Sequence, residues 1–586
     1  IQKEHVVRLG LEWNDNKAQK TAKDAYDRLF NLKWTPPGRG LWMMGTKFVE
    51  ERTGAALFNC AFRSTKDIDK KGGYIFAWIM DALMVGVGVG FDTKGAGTLT
   101  IKEPQFTNDT LVIDDSREGW VNSVHILLDG FLFGSNIPKF DYSALRPEGA
   151  IIHGFGGTSS GAGPLIELHD NLKELFSSKV GELITSVDIV DIENLIGRCV
   201  VSGNVRRSAA LALGEHDDFR YLEMKNDQEK LYHHRWGSNN SYAAHVGMEY
   251  GWHANQTQEN GEPGTIWLEN ARAYGRFKDG VNYDDAEVVG FNPCVEQSLH
   301  NAEMCCLVET FPAKHDDYED YVKTLKCAYL YGKTVTLVNT HWPETNAKML
   351  KNRRIGLSQS GIIQAFKKHG RRNLLEWSDQ AYDHVRKLDT EYSNWLCVPR
   401  SIKVTSIKPS GTVSLLNGST PGIHFPEDEY YIRRIRFSKT SSMLTDLEKA
   451  GYHIEDDAYS PNTSVVEFPV KEEHFTKGKK DVSMWEQLEI AAQYQHYWAD
   501  NAVSVTITFN ESESQHIQSA LEMYETRLKA VSFLKLSETG YKQAPYEPIT
   551  KEQYEEMSNK VTPIHRIKTE TAGSGTKYCD GDQCEI

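Results

Sequence analysis

The sequence is short of cysteine and has no long unbroken apolar run. Nine cysteines in 586 residues are too few for a disulfide-built fold, and the count is odd, so a reducing compartment with a few working thiols is the expectation. The longest apolar stretch, Tyr74 to Phe91, is interrupted by Asp81 and several glycines. It is too broken to span a bilayer and reads as a buried helix leading into a strand. Positive charge is also in deficit: 66 Lys and Arg against 81 Asp and Glu leave a net charge of −15, which argues against tight nonspecific binding of nucleic acid. Basic clusters such as Lys367, Lys368, Arg371 and Arg372 then read as a solvated face. Nucleotide fingerprints are missing as well. Val85-Gly-Val-Gly-Val-Gly90 lacks GxGxxG spacing and Gly332-Lys333-Thr334 has no upstream P-loop glycine, which excludes a Rossmann or Walker protein. The chain starts at Ile1 and shows no secretory signal. A cytoplasmic protein without membrane or nucleic-acid partners is expected.

What is present is a large α/β pattern. Residues 1–55 form an N-terminal helical region, with helical periodicity through Ala18–Leu32 and a Pro-Gly stop at Pro36–Gly40. Over 56–540 short apolar runs (Leu111–Ile113, Val335–Val338, Val503–Phe509) alternate with helical patterns such as Glu319–Leu330 and Ser483–Asp500, which points to one α/β body. The segment 541–586 ends differently. Ala572-Gly-Ser-Gly-Thr576 reads as a flexible linker before Cys579 and Cys584, and the eleven residues Lys568–Tyr578 reach roughly 35 Å when extended. Two cysteines with no second Cys or His pair nearby do not make a zinc site, and no protein metal site is expected. A mobile dithiol that passes electrons inward by thiol–disulfide exchange accounts for both linker and pair; an inert frayed tail is the plain alternative.

The richest stretch is Asn292-Pro293-Cys294-Val295-Glu296, with Cys305 eleven residues after Cys294. Side chains alternate along an extended segment, so an amide, a thiol and a carboxylate would share one side. That set suits hydrogen bonding, chemistry at sulfur and proton transfer on a small polyhydroxylated substrate. The plain reading of Cys294 is a buried packing cysteine, and Cys199, Cys327 and Cys397, in apolar-periodic segments, are assigned to packing. Lys408-Pro409-Ser410-Gly411-Thr412 is a small-residue turn suited to cradle phosphate, or simply a turn between strand and helix. Gly156–Gly161 is a second loop of the same kind.

Together these residues resemble the ribonucleotide reductases, most closely the monomeric adenosylcobalamin-dependent ribonucleoside-triphosphate reductases of class II. The likeness also takes in Phe58-Asn59-Cys60, Ser116–Trp120, Gly154–Gly161, Gly203-Asn204-Val205-Arg206-Arg207-Ser208, His233–Trp236, Asn352–Gly356, Asp500–Ser504 and the Cys-containing tail, and so runs through nearly all of the chain. The family usually has glycine where Val295 stands and asparagine where Cys306 stands. Cys306, beside Cys305, is thus a rival for any bridge.

The resemblance implies a ten-stranded α/β barrel with a central finger loop that carries Cys294, a helical N-terminal region and a flexible C-terminal tail. It implies adenosylcobalamin as cofactor and a thiyl radical on Cys294 that takes the ribose 3′ hydrogen. Glu296 would act as base and Asn292 would hold ribose hydroxyls. Cys60 and Cys305 would supply the reducing electrons and close as a disulfide. Cys579 and Cys584 would re-reduce it, and a thioredoxin-like protein would reduce them. Pro409, Ser410, Gly411 and Thr412 would bind the triphosphate, and Gly203, Asn204, Arg206 and Arg207 would link a dNTP or ATP effector to substrate choice. The alternatives are a diphosphate reductase, or a large subunit with a separate radical-generating partner; the latter would need a paired-tyrosine relay, and Tyr430-Tyr431 reads as structural. A catalytically dead nucleotide-binding regulator and a generic thiol oxidoreductase or metal-binding protein are the readings from other classes.

Overall fold

The structure is a computed structural model that describes residues 1–150, 152, 159–202, 209–439, 441–458, 463–536 and 542–564. Twelve strands concern the site. In chain order they are β1 (Cys60–Arg63), β2 (Gly88–Asp92), β3 (Ala210–Glu215), β4 (Ser238–Ala243), β5 (Gly264–Ile266), β6 (Gly290–Phe291), β7 (Ser298–Leu299), β8 (Glu303–Cys305), β9 (Leu307–Thr310), β10 (Gly356–Gln359), β11 (Thr506–Phe509) and β12 (Ala530–Lys535).

Eight of them form the central sheet, in the order β8-β1-β2-β3-β4-β5-β12-β11. Neighbours are parallel except at β8–β1 and β5–β12, which are antiparallel. Parallel strands with helices on their faces are buried on both sides, and β1 and β2 are buried at every position. The apolar stretch from Tyr74 divides as its composition suggests, into a nearly all-buried helix, Tyr74–Met84, and the strand β2. β9 continues from β8 but belongs to a second sheet, where it pairs in parallel with β10 and antiparallel with Trp34–Thr35. Single parallel bridges, Leu357↔Thr405 and Ile407↔Val503, lead from β10 towards β11.

Four further strands, Tyr430–Ser438, His453–Asp456, Thr463–Lys471 and Tyr546–Pro548, make a separate antiparallel sheet. Tyr430 and Tyr431 are used inside it: Tyr431 donates to Glu472 (3.1 Å) and Tyr430 packs on Tyr554. Among the described residues no helix is long and apolar enough to cross a membrane.

Two local expectations fail. Val335–Val338 is not a strand but the end of the helix Tyr318–Val335 and the turns after it, with Leu337 and Val338 amides donating to Thr334 and Val335 carbonyls. An apolar run of four cannot be told from a helix end by periodicity. The Pro36–Gly40 segment does not stop a helix either. The helix Asp15–Phe30 has already ended, and Pro37 precedes a new one, Gly38–Met43, in line with the use of proline at helix starts.

Candidate active site

β6 and β7 form an antiparallel hairpin whose tip is Asn292–Gln297. The tip is not extended, as alternation had suggested; it is a closed turn. The Val295 amide donates to the Asn292 carbonyl (2.8 Å) with Pro293 at the second position, where its fixed φ suits a β-turn. The Asn292 amide donates to the Gln297 carbonyl (3.2 Å), and the Asn292 Oδ1 accepts the Gln297 amide (2.9 Å). Val295 follows at φ +64°, left-handed space that a β-branched residue rarely occupies. A glycine would take this conformation without strain.

The hairpin lies directly on the central sheet because glycine lets it. A Cβ on Gly90 would stand 2.0 Å from the Phe291 carbonyl, and one on Gly290 would stand 2.0 Å from the Phe62 ring. Of the alternating glycines that fail as a nucleotide fingerprint, Gly90 thus admits a second backbone, the usual meaning of glycine inside a strand, whereas a Cβ on Gly86 would meet the Arg39 guanidinium.

At that contact three thiols meet. Cys60 on β1 and Cys305 on β8 are direct partners across the antiparallel pair, a spacing of about 4.5–5.5 Å between Cα atoms that lies within the range a disulfide bridges. Both are buried and reduced. Cys60 lies within hydrogen-bonding reach of Cys294 and of Cys305. The Cys294 contact favours its thiolate, but the Cys305 contact and burial outweigh it and hold the Cys60 thiol above the usual range. The Cys294 thiol is pushed well up by its bond to Cys60 and by burial, against the pull of Lys408. Cys306 points the other way, as the next residue of a strand must: it donates to the Gly332 carbonyl (3.4 Å) and packs in the main apolar core. It is no rival for the bridge. Cys199 and Cys327 are buried as expected, whereas Cys397 is exposed, in left-handed conformation at the end of the helix Arg371–Leu396.

Charge at the tip comes from Glu296, fully buried, whose Oε1 accepts from Lys408 Nζ at 2.8 Å. Burial alone would lower the lysine, but Cys294, Glu296 and Cys60 hold it well above its ordinary value. Nothing in the sequence pairs Lys408 with Glu296; only the meeting of two distant segments does. Around them several buried polar atoms have no partner among the described residues: Asn59 Oδ1, Asn292 Nδ2, Glu296 Oε2, Gln297 Oε1, Ser406 Oγ and Ser410 Oγ. Each such atom costs about 1–3 kcal/mol if nothing meets it, so six from three segments offer partners to a polar ligand. The Pro409–Thr412 turn borders it. The Gly411 amide donates to the Pro409 carbonyl (2.9 Å), Gly411 and Thr412 are exposed, and a Cβ at Gly411 would meet nothing within 4 Å, so bare backbone faces open space there.

The root of the hairpin is held by charge. Arg354 donates to Asp285 (2.7 and 2.9 Å) and to Glu303 (3.0 and 3.2 Å), Lys403 pairs with Asp285 (2.8 Å) and His300 with Asp285 (2.8 Å), all nearly fully buried. Asn352, of the same motif as Arg354, donates to Glu303 (3.0 Å). The Ala502 amide donates to the Glu296 carbonyl (3.1 Å), and Asn501 ties the Ile355 and Thr405 carbonyls, which gives the Asp500–Ser504 motif its role.

On the other flank of the tip, a cavity of about 390 Å³ is lined by Cys294, Val295, Asn239, Ser241, Ser504 and Ser532, among others. Cys294 is the one thiol of the three that reaches it. Cys579 and Cys584, and Gly203, Asn204, Arg206 and Arg207, lie outside the described residues, as does most of Gly154–Gly161. The helix Ser186–Val201 that precedes the Gly203–Ser208 stretch is anchored by Asp191, which accepts from Arg235 (2.7 and 2.8 Å) and bonds His234 (2.9 Å).

Comparison with known proteins gives a consistent result. Residues 96–176 match the family described as "B12-dependent ribonucleotide reductase, insertion domain", and residues 1–46 match "Ribonucleotide reductase alpha domain". An adenosylcobalamin-dependent ribonucleoside-triphosphate reductase of Euglena gracilis is 46% identical over 99% of this chain and 82% of its own length. A probable enzyme of the same name from Dictyostelium discoideum is 45% identical over 100% of this chain and 81% of its own, and that of Lactobacillus leichmannii is 38% identical over 92% and 85%. A solved B12-dependent class II ribonucleotide reductase superposes with a TM-score of 0.85 at 34% identity, covering 96% of this chain and 90% of that one.

Proposed function

The chain belongs to the adenosylcobalamin-dependent ribonucleoside-triphosphate reductases, and from that membership we propose how its own residues reduce a ribonucleoside triphosphate to the 2′-deoxy product. Adenosylcobalamin, when bound, supplies the unpaired electron by homolysis of its cobalt–carbon bond. The cavity beside Cys294 would receive the end of that group that approaches the thiol: its lining is mainly apolar, and Asn239, Ser241, Ser504 and Ser532 are the polar residues that would hold it.

The rest belongs to the protein. Cys294, as a thiyl, takes the ribose 3′ hydrogen. Glu296 accepts the 3′-hydroxyl proton at Oε2, its unengaged oxygen, and Asn292 Nδ2 donates to a ribose hydroxyl. The 2′ hydroxyl leaves as water with a proton from the Cys60–Cys305 pair. That pair gives up two electrons and closes as a disulfide, and the hydrogen returns to the 3′ carbon. One triphosphate and two thiols yield one deoxynucleotide, one water and one disulfide. Pro409–Thr412 hold the triphosphate. Cys579 and Cys584 reopen the disulfide and are themselves reduced by a thioredoxin-like protein. Gly203, Asn204, Arg206 and Arg207 couple a dNTP or ATP effector to the substrate base.

The fold reading that supports this is a ten-stranded barrel around the finger hairpin. The eight-stranded central sheet, the isolated bridges at 405–407 and 503, β10 and the continuous β8–β9 segment support that reading. A helical region (1–55), the barrel (56–540) and a C-terminal segment with the redox tail (541–586) are the proposed parts, and the location is cytoplasmic.

The observation that carries the mechanism is the direct cross-strand pairing of Cys60 with Cys305, with Cys294 in reach. The test is reduction of CTP and ATP under dithiothreitol, with and without adenosylcobalamin, beside Cys294→Ala. Cofactor-dependent deoxynucleotide that disappears in the variant supports the thiyl role; product that survives the substitution sinks it.

A further inference from the structure

Glu309 takes no part in the reaction as set out, and Lys408 enters only as a neighbour of Glu296. Yet an unbroken run of directional bonds joins them. Lys408 Nζ donates to Glu296 Oε1 at 2.8 Å. The Lys408 amide donates to Ser358 Oγ at 2.9 Å, and that hydroxyl donates to Glu309 Oε1 at 2.9 Å. A second branch runs from the Gly422 amide to Ser360 Oγ (2.9 Å) and on to the same Glu309 oxygen (2.7 Å). Each serine oxygen accepts an amide proton and gives its own to Glu309, so one carboxyl oxygen is the acceptor of both branches. Ser358, Ser360, Glu309 and Glu296 are all buried.

Register makes the arrangement rigid. Glu309 on β9 is the direct parallel partner of Ser358 on β10, so acceptor and donor are set by the backbone. The two anchored amides, Lys408 and Gly422, bracket the segment that contains the phosphate turn. A Cβ at Gly422 would stand 3.0 Å from the Lys408 carbonyl, so the two ends of the segment also touch. Burial raises the Glu309 acid to about 8. Near neutral pH it is mainly the neutral acid, and it brings no second full negative charge to the Lys408–Glu296 pair.

We propose that Glu309 and Lys408 are positioning residues for the reduction: Glu309 fixes both ends of the 408–422 segment through Ser358 and Ser360, and Lys408 thereby holds Glu296 with one oxygen engaged and Oε2 turned to the substrate's 3′ hydroxyl. This rests on Glu296 as the base. A simple structural plug would need neither the shared acceptor oxygen nor a lysine whose head and amide are both committed.

The experiment compares Lys408→Met, Lys408→Arg, Glu309→Ala and Glu309→Gln with Glu296→Gln in the adenosylcobalamin-loaded enzyme, measuring kcat and KM for CTP beside thermal midpoints. Misplacing a reacting group by about 1 Å costs about 100-fold, so Lys408→Met is expected to lose about that in kcat, with KM changed less than about threefold. Lys408→Arg recovers part of it. Glu309→Ala loses at least about tenfold, and Glu309→Gln, whose amide oxygen accepts the same two hydroxyls, recovers most of that loss. A readout without cofactor is the alkylation of Cys294 by iodoacetamide, followed by peptide mass. Loss of the Lys408 cation is expected to slow it and move its pH profile upward. If Lys408→Met and Glu309→Ala stay within about threefold of wild type while Glu296→Gln is inactive, the positioning role is overturned and the base survives. If Glu309→Gln is as impaired as Glu309→Ala, the shared-acceptor role is wrong. If Glu296→Gln keeps its activity, the base assignment falls and the inference falls with it. An unchanged alkylation profile in Lys408→Met counts against placing the cation at the site.

Discussion

The tip and the root of one hairpin handle buried polarity in opposite ways. At the root, Asp285 and Glu303 are surrounded by Arg354, Lys403, His300 and Asn352, and the charges are met, with Asn352 Oδ1 the polar atom of this group left without a partner among the described residues. At the tip, Glu296 has one oxygen on Lys408 and one without a partner, and Asn292, Gln297 and Ser410 likewise hold polar atoms unmatched. The root spends its polar groups on holding position; the tip keeps them for something that is not protein. Open valences beside a reactive thiol are where a polar ligand would find partners, and the paired charges next to them hold the hairpin in place.

Breaking the root is expected to have the largest effect on stability. Arg354→Met strands two buried carboxylates and should cost about 3–5 kcal/mol in urea unfolding; a loss under about 1 kcal/mol would mean that Lys403 and His300 suffice and the contrast is overdrawn.

Next comes the pH dependence at Glu309. Its folded value, about 8, lies above the ordinary value of about 4.3. The folded chain therefore holds a proton that the unfolded chain has released. The stability this lends is fully present below about pH 4 and is lost as pH rises through about 8. Between about pH 6 and pH 8.5 the wild type should lose about 2 kcal/mol relative to Glu309→Gln, read from paired urea midpoints. Parallel curves would show that Glu309 is not buried as an acid.

A smaller effect is expected at Val295. Relief of its left-handed strain, about 1 kcal/mol or more, opposes the extra freedom that glycine gives the unfolded chain, about 0.4–1 kcal/mol. Val295→Gly should leave the melting temperature level or slightly raised, where loss of a well-packed valine side chain would lower it clearly.

The smallest stability change belongs to the tip's open valences. Ser410→Ala removes an unmatched hydroxyl and should shift stability by no more than about 0.5 kcal/mol, while the KM for CTP rises several-fold. A large loss of stability with unchanged KM would make Ser410 a structural residue and erase the difference between tip and root.

Much of this was legible in the chain itself. The helix-to-strand division of Tyr74–Phe91, the thiol at Cys294 and its companions at Cys60 and Cys305, and the small-residue turn at Pro409–Thr412 all follow from composition, spacing and resemblance. The misreadings share one cause. Alternation predicted an extended tip at Asn292–Glu296, and an apolar run predicted a strand at Val335–Val338. A short window does not encode which backbone groups will find partners elsewhere. Gly90, in the Val85–Gly90 run, carried a true signal, but its meaning, a second backbone at contact distance, needed Phe291 to be in place.

By itself, then, the sequence determined the chemical inventory: which thiols, carboxylates and amides exist, and which family they belong to. Those are properties of residue type and order. Tertiary structure alone decided that Cys60 faces Cys305 while Cys306 faces the core, that Lys408 reaches Glu296, and that Glu309 takes both serine hydroxyls. Strand register and the crossing of segments far apart in the chain set those contacts, and neither is written in any local stretch of the sequence.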